Sequence, residues 1–236
     1  MSVRAVSIVD PARKLAAEFI GTALLLLAVV GSAWAAAELS PNDAGLRLLQ
    51  NSLATAAALI AIIIALFTVS GAQINPAVTL ANWLLDRSGG RLAVGYVIAQ
   101  CAGAFAGCVL ANVMFGQPAV EISTLDRGGW TLVLSEAVAT FGLVLIIFAA
   151  VRSGRTTLLP FAVGAYIGGA YFFTASTSFA NPAVTVARTV TGSFAGIDTA
   201  SVPGFLLGQV IGAIAAVTVV DFLLPKTAPA KDQLPK

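Results

Sequence analysis

The sequence predicts an all-α membrane protein that consists of two repeats in opposite orientations. Hydrophobic residues make up 58% of the 236 residues and charged residues only 10%, whereas a soluble domain carries about 25% charged residues. Six apolar runs are long enough, or nearly long enough, to cross a bilayer, which takes about 20 helical residues. The sequence Asn-Pro-Ala-Val-Thr also occurs twice, at 75–79 and, 106 positions later, at 181–185. The composition therefore indicates the membrane, and the repeated sequence indicates a duplicated architecture.

The six predicted spans fall into two groups of three. They are Leu15–Ala37, Leu48–Val69, Leu92–Phe115, Trp130–Val151, Leu158–Phe173 and Val202–Leu224. Each group also contains a shorter apolar stretch that begins at an Asn-Pro-Ala, namely Pro76–Leu85 and Pro182–Val190. Asn favours the helix N-cap and Pro the first helical position. We therefore predict two half-spanning helices, which are tolerated at membrane depth only where the irregular backbone before them lines a cavity or is buried in protein.

Other residues recur in the same order in both groups. A Glu-x-x-x-Thr sequence opens the first and the fourth span, with its carboxylate at Glu18 and Glu136, and Gln100 and Gln209 occupy the third and the sixth. The chain is thus predicted to form one domain, 1–236, with repeats at about 12–115 and 130–224. Because each repeat has an odd number of spans, the second must be inverted. The two half-helices then meet tip to tip near the midplane, an arrangement typical of transport proteins.

Basic residues are distributed unequally between the two sides of the predicted bundle. Ten lie on one side: Arg4, Arg13, Lys14, Arg87, Arg91, Arg152, Arg155, Lys226, Lys231 and Lys236. Only Arg47, Arg127 and Arg188 lie on the other. Cytoplasmic loops are enriched in Lys and Arg, so both termini, with tails at 1–11 and 225–236, are expected in the cytoplasm. The first half-helix would then enter from the cytoplasm and the second from outside.

These motifs together resemble the major intrinsic proteins, that is, the aquaporins and aquaglyceroporins. The match rests on the two Asn-Pro-Ala motifs, the stretch from Ser70 to Thr79, the repeated Glu-x-x-x-Thr and the six-plus-two layout, and it covers about residues 12–224. The resemblance implies an aquaporin-like right-handed bundle with a passive pore in each protomer. It further implies a homotetramer in the lipid bilayer of a bacterial-type inner membrane.

The resemblance places the two motifs, Asn75-Pro76-Ala77 and Asn181-Pro182-Ala183, face to face at the centre of the pore. The asparagine amides would donate hydrogen bonds to a passing oxygen, and the positive ends of the two half-helices would exclude protons and cations. Backbone carbonyls would line both halves of the pore; in this chain they belong to Gly71, Ala72, Gln73, Thr177, Ser178 and Phe179. Glu18 and Glu136 would brace the re-entrant loops, because a buried carboxylate is costly unless it is paired.

The family's narrow filter differs in this chain. Counting back from the motifs, as the resemblance implies, gives Thr55, Gly169, Ser178 and Val184. Most family members have Arg directly after the second Asn-Pro-Ala, where this chain has Val184. A filter without charge or aromatic ring implies a wide opening for uncharged solutes such as glycerol and other polyols, urea, and metalloid acids such as arsenous acid (arsenite), together with some water. A water-selective aquaporin is the alternative.

Arg188 lies four residues after Val184, hence one turn further along the same helix face. It could place its charge at the outer mouth and partly replace the missing arginine. Alternatively, it extends to the surface or forms a salt bridge between loops.

Other classes of function are less well supported by the sequence. An ion-coupled transporter would need charged residues at the midplane beyond the two bracing glutamates. The sequence has no nucleophile–base pair of the kind that would indicate an enzyme. The absence of histidine excludes a His-based metal site. We therefore expect no cofactor, no metal and no nucleic-acid partner. The expected partners are small neutral solutes and the lipid bilayer.

Overall fold

Helices account for nearly all of the structure, a computed structural model that describes residues 10–86 and 89–224. In chain order, the described helices are α1 (Pro11–Leu39), α2 (Ala44–Ser70), α3 (Pro76–Asp86), α4 (Gly90–Met114), α5 (Trp130–Arg152), α6 (Leu159–Phe173), α7 (Pro182–Ala187) and α8 (Val202–Leu223). Short 3₁₀ turns precede α6, at Thr156–Leu158, and follow α7, at Arg188–Val190. The predicted tails lie outside the described residues except for Asp10 and Pro11, and so do Arg4, Arg87, Lys226, Lys231 and Lys236.

Local sequence signals set several helix ends. The carboxylate of Asp10 accepts a hydrogen bond from the amide of Ala12, and that of Asp43 accepts one from the amide of Leu46. These contacts satisfy amides that have no partner within the helix. At the other end of α2, Gly71 has a φ of 86°, a left-handed conformation that favours glycine. The chain therefore leaves α2 sharply and enters the loop before α3.

Six helices of the described chain are long and apolar enough to cross a membrane. Each corresponds to one predicted span. Many large apolar side chains on their outer faces are exposed, among them Phe19, Ile98, Phe172 and Leu207, as expected for surfaces that face lipid. The second half-helix is shorter than predicted, because α7 ends at Ala187 and the last residues, up to Val190, form the 3₁₀ turn.

The packing of the helices repeats between the two halves of the chain. Helix α1 packs against α2 and α4, and α5 packs in the same way against α6 and α8. Each half-helix contacts spans of both halves, since α3 lies against α4 and α8, and α7 against α8 and α4. Helix α2 contacts α6, and α3 contacts α7. Each of these helix pairs has an equivalent pair in the other half, or is formed by two equivalent helices, as expected for two related repeats.

Glycines allow the closest helix crossings. A Cβ atom at Gly103 or Gly107 of α4 would overlap the carbonyl oxygens of Phe19 or Ala23 in α1. In the other repeat, a Cβ at Gly212 of α8 would overlap the carbonyl oxygen of Ala137 in α5. Small residues at such crossings let helix backbones approach each other in lipid. The crossings bring Gln100 and Gln209 close to the loops that precede the half-helices.

Candidate functional site

The two Asn-Pro-Ala tips meet in the middle of the bundle and bind each other's loops. The side-chain amide of Asn75 donates to the carbonyl oxygen of Ala180 at 2.7 Å, and that of Asn181 donates to the carbonyl oxygen of Ile74 at 2.9 Å. Both asparagines are buried. Since an amide nitrogen carries two hydrogens, each asparagine retains one N–H beyond this contact.

The same asparagines cap the half-helices through their other side-chain atom. The Oδ1 of Asn75 accepts from the amide of Ala77 at 2.8 Å, and the Oδ1 of Asn181 accepts from Ala183 and Val184 at 3.0 and 3.3 Å. The oxygen therefore acts as the cap and the nitrogen remains a donor. Capping and solute contact are thus compatible in one side chain.

Left-handed backbone residues recur at matching positions in the two loops. Gly71, Ala72 and Ile74 have φ values of 86°, 44° and 41°. The residues 106 positions later, Thr177, Ser178 and Ala180, have values of 61°, 53° and 47°. Such conformations cost energy in residues other than glycine and persist only where the surroundings enforce them. The repeat therefore extends to the backbone of the loops, although their side chains differ.

Glu18 holds the first loop in its conformation. Its carboxylate is fully buried, and it accepts hydrogen bonds from the Ser70 hydroxyl at 2.6 Å and from the amides of Gln73 and Ile74 at 3.0 and 2.6 Å. It also accepts from the side chain of Gln100 at 2.7 Å. Four donors around one carboxylate compensate for its lost hydration.

Glu136 holds the second loop in the equivalent way. It accepts from the amides of Phe179 and Ala180 at 2.9 and 2.8 Å and from the side chain of Gln209 at 2.6 Å. Gln209 also donates to the Thr185 hydroxyl at 2.8 Å. Both glutamates therefore contact loop backbone and a glutamine of the last span in their repeat.

A cavity of about 330 Å³ extends from Asp86 and Arg152, past both motif asparagines, to Arg188. Its two walls differ in polarity. One is formed by the loops and tips, with Gly71, Ala72, Gln73, Ser178 and Phe179 among its residues. The other consists of apolar side chains from the spans: Leu25, Val29, Leu59, Ile63, Phe67, Leu143, Ile147, Phe148, Leu159, Val163 and Ile167. The Oε1 of Gln73 and the Oγ of Ser178 are buried without a hydrogen-bond partner in the described chain.

Three of the four predicted filter residues line this cavity: Thr55, Ser178 and Val184. Gly169 does not; it lies on the exposed face of α6, beside the ring of Phe173. The cavity face of α6 consists of Leu159, Val163, Ile167 and Tyr171, which recur every four residues as one helix face does. Counting back from the motif did not indicate Tyr171, because the packing of α6 sets which of its faces lines the cavity. The Tyr171 hydroxyl lies 3.1 Å from the Thr55 hydroxyl. Thr177, predicted for its carbonyl, is likewise not among the lining residues.

Arg188 lines the cavity and is only 3% exposed. Its Cζ lies 3.4 Å from the centre of the Phe179 ring, and its Nε donates to the carbonyl oxygen of Ala195. The alternative of a surface side chain or a salt bridge is therefore wrong, because within 10–86 and 89–224 the salt bridge that forms is Arg152–Asp221. Arg188 extends from the turn after α7 into the bundle.

A second arginine, which the sequence did not single out for the site, lies near Arg188. Arg127 belongs to the loop between α4 and α5 and donates to the carbonyl oxygens of Gly196 and Phe194 at 2.8 and 2.9 Å. Its Cζ is 5.1 Å from the centre of the same Phe179 ring. Burial lowers the pKa of Arg127 below its ordinary value, and the nearby Glu136 opposes this shift. One aromatic ring therefore contacts two guanidinium groups.

Comparisons with known proteins agree on the family. The profile of the family described as "Major intrinsic protein" matches residues 5–180. Aquaglyceroporin AqpS of Rhizobium meliloti (strain 1021) is 46% identical over 220 residues, which are 93% of this chain and 94% of the relative. The probable aquaporin AqpM of Archaeoglobus fulgidus is 32% identical over 183 residues, or 72% of this chain and 74% of the relative.

A solved structure agrees on the fold. The X-ray structure of the aquaglyceroporin from Plasmodium falciparum superimposes with a TM-score of 0.73 at 20% identity, covering 92% of this chain and 98% of its own. With six membrane-spanning helices, two half-helices and this degree of sequence similarity, the chain is a multi-pass membrane protein of the major intrinsic protein family, a family of channels and not of enzymes.

Proposed function

We propose that this chain is a passive channel for small uncharged solutes: glycerol and other polyols, urea and undissociated metalloid acids such as arsenous acid, with some water. The observation that carries the proposal is the two-sided cavity, which passes both Asn-Pro-Ala tips with polar loops on one side and apolar span residues on the other. A polyol has the same division, since its hydroxyl groups can face the loops while its C–H groups face the apolar wall.

The polar wall supports passage of solutes that accept or donate hydrogen bonds. Asn75 and Asn181 each retain an amide hydrogen after binding the opposite loop. We propose that these hydrogens donate to a solute oxygen, and that loop carbonyls, including those of Gly71, Ala72 and Gln73, accept from its hydroxyl groups. Water can use the polar wall, but it gains nothing from the apolar one. The lining of the cavity therefore gives no basis for strict selection of water and favours larger uncharged solutes that carry hydroxyl or carbonyl groups.

The helix tips support exclusion of cations. Both half-helices begin at the centre, where each contributes a partial positive charge. The carboxylates closest to these tips, Glu18 and Glu136, face backbone amides of the loops. A cation at the centre would lose its hydration without gaining an anionic partner.

The proposal extends to the filter position, the membrane and the assembly of the channel. The chain has Val184 where most family members have an arginine, so we propose that the position directly after the second Asn-Pro-Ala leaves more room than it does in a water-selective filter. AqpS, which shares 46% identity, is described as an aquaglyceroporin, and this supports the solute class. We further propose a bacterial-type inner membrane, a homotetramer, and both termini in the cytoplasm.

Stopped-flow measurements on purified protein in liposomes test the proposal. Water, glycerol, urea and arsenous acid would be compared in liposomes with wild-type protein, with an Asn181→Leu variant, and without protein. We expect wild-type protein to accelerate glycerol flux clearly above the protein-free rate, and the variant to lose most of this gain because it lacks one amide donor. High water flux without glycerol, urea or arsenous acid flux would identify a water-selective aquaporin instead. Membrane current driven by an ion gradient would indicate a transporter or ion channel.

A further inference from the structure

We infer that Arg188, held in place by Phe179, supplies the charged wall of the channel's narrow end, and that Tyr171 forms part of the opposing wall. The inference rests on the proposed function and assigns its specificity. It moves the determinant from Val184, directly after the second Asn-Pro-Ala, to a side chain one helical turn further along. The narrow end is defined here as the part of the cavity lined by Thr55, Tyr171, Ser178, Val184 and Arg188.

The local backbone explains how Arg188 reaches this position. Helix α7 ends at Ala187, and the amide of Arg188 donates to the carbonyl oxygen of Val184. Residues four apart share a helix face, so Arg188 extends from the same side as Val184. An arginine side chain is long enough to return along this face into the cavity. Valine at 184 leaves the necessary space, which a second arginine there would occupy.

Two contacts fix the guanidinium group, and a third fixes the ring that it touches. Its carbon lies 3.4 Å from the centre of the Phe179 ring, and its Nε donates to the carbonyl oxygen of Ala195. The Phe179 ring itself packs edge-on against Phe205, with ring centres 5.0 Å apart. Phe205 is fully buried. Phe179 is therefore a positioning residue, since its ring sets where the guanidinium lies.

These contacts leave the two Nη groups of Arg188 free to donate hydrogen bonds. In the described chain no hydrogen bond involves either Nη of Arg188, although the residue is 3% exposed and lines the cavity. Ser178, in the same wall, has a buried hydroxyl oxygen without a partner. A guanidinium edge with two N–H groups donates well to one oxygen or to two adjacent oxygens. The chemistry fits vicinal hydroxyl groups of a polyol, the carbonyl oxygen of urea, and the hydroxyl groups of a metalloid acid.

The charge of Arg188 has no carboxylate partner within 4.0 Å among residues 10–86 and 89–224. Arg127 adds a second positive charge nearby, because its guanidinium group also lies against the Phe179 ring. A positive charge that no ion pair neutralises repels cations in a narrow passage. Arg188 is thus assigned two tasks, the binding of solute oxygens and a second barrier to cations beyond the helix tips.

Tyr171 contributes to the lining of the narrow end from another helix, α6. Its hydroxyl lies 3.1 Å from that of Thr55, and this pair joins α6 to α2 within the lining of the narrow end. Tyr171 lines the narrow end from α6, where Gly169 was expected from the sequence. The narrow end is therefore tighter and more polar than the filter that counting from the motifs implied.

Variants in liposomes test the two walls separately. Fluxes of glycerol and of the larger polyol xylitol would be measured by stopped flow, and proton entry would be followed with a trapped pH dye under an applied potassium diffusion potential. The variants are Arg188→Gln, Phe179→Leu and Tyr171→Ala. The matched control is Arg47→Gln, since Arg47 is also predicted to lie on the outer side and contacts the Phe194 ring, but does not line the cavity. Circular dichroism melting of each purified variant checks that it is folded.

We expect Arg188→Gln to change the xylitol-to-glycerol flux ratio by about tenfold, the effect of one hydrogen bond to a charged group, and to let protons enter. Phe179→Leu should shift both readouts in the same direction, because the arginine remains but is no longer held. Tyr171→Ala should raise the xylitol-to-glycerol ratio without proton entry, because it removes bulk and not charge. Arg47→Gln should match wild type.

The results distinguish this inference from the proposed function. If wild-type protein conducts glycerol but Arg188→Gln and Phe179→Leu both behave like Arg47→Gln, the assignment of Arg188 is overturned and the channel proposal stands. If wild-type protein conducts no uncharged solute besides water, the proposed function itself fails. If Arg188→Gln does not fold, Arg188→Lys keeps the charge without the planar edge. It should then retain the proton barrier while changing the polyol ratio, and an unchanged ratio would count against the inference.

Discussion

At the scale of single residues, two buried carboxylates determine the shape of the loops. Glu18 and Glu136 occupy equivalent places in the two repeats, and each accepts hydrogen bonds from consecutive loop amides. Those loops contain left-handed residues that would not adopt their conformation unaided. The glutamates are therefore the groups that compensate for the strain. Their position within helices α1 and α5 makes the loop geometry depend on the spans.

We predict that Glu18→Gln destabilises the protein strongly. The variant keeps the size of the side chain, but it replaces one acceptor by a donor that faces the amides of Gln73 and Ile74 and the side chain of Gln100. Loss of hydrogen bonds to a buried charged group should cost about 3 kcal/mol of unfolding free energy. Thermal unfolding in detergent measures this change. Glu38→Gln, at an exposed position near the end of α1, is the control. Equal melting temperatures for the two variants would contradict the bracing role.

Among the helices, the spans are held together at close crossings where one helix has glycine and its backbone lies against the other helix. The interior of a bilayer offers little hydrophobic drive for helix association, so van der Waals contact between backbones matters more. Gly107 places α4 directly against the carbonyl oxygen of Ala23 in α1, and Gly212 places α8 against Ala137 in α5. In the sequence each of them follows another glycine by four residues, Gly103 and Gly208 respectively. Their partners on the other helix become visible only in the fold.

We predict that Gly107→Ala disrupts the α1–α4 crossing although alanine favours helices. Its methyl group would overlap backbone, which cannot rotate away, and overpacking of this kind costs about 1–3 kcal/mol or more. The folded yield and melting temperature in detergent should fall. Gly169→Ala is the matched control, because its methyl group would lie 3.7 Å from the Phe173 ring, an ordinary contact. A Gly107→Ala variant as stable as Gly169→Ala would show that the helices can separate at little cost.

At the scale of the whole molecule, the two halves form one unit because their tips exchange hydrogen bonds. The amide of Asn75 binds the loop of the second half, and the amide of Asn181 binds the loop of the first. Each half-helix also packs on the last span of the other half. The central part of the cavity therefore exists only when both halves are folded together. Because the tips meet head to head, the two half-helices start from opposite ends of the bundle.

We predict opposite accessibility for the loop after α4 and the loop after α5. In a variant with Cys101 and Cys108 replaced by alanine, a cysteine at Val120 should react with a membrane-impermeant thiol reagent added to intact cells. A cysteine at Ser153 should react only after the cells are opened. Both positions are exposed in the fold, so burial does not explain a difference. The reverse pattern would contradict the orientation inferred from the basic residues.

Much of the fold could be predicted because its signals are local or repeated. Apolar length determines a span, and an Asn-Pro-Ala motif determines where a half-helix begins. The cavity residues Thr55, Ser178 and Val184 could be placed by counting from the motifs, since each lies on or beside an element with a fixed start. Gly169 was misplaced because α6 presents the face of Tyr171 to the cavity, and the rotation of a helix about its axis follows from its packing.

Composition, apolar length and helix-capping chemistry were enough to predict the membrane, the six spans, the two half-helices and their duplication. The packing of helices and loops sets which polar groups meet. It placed Arg188 against Phe179 and inside the cavity, joined Tyr171 to Thr55, and surrounded each glutamate with amides from a distant loop. These contacts join residues from different helices. Their geometry depends on how far a side chain reaches and how each helix is rotated, and no local pattern in the chain encodes either quantity.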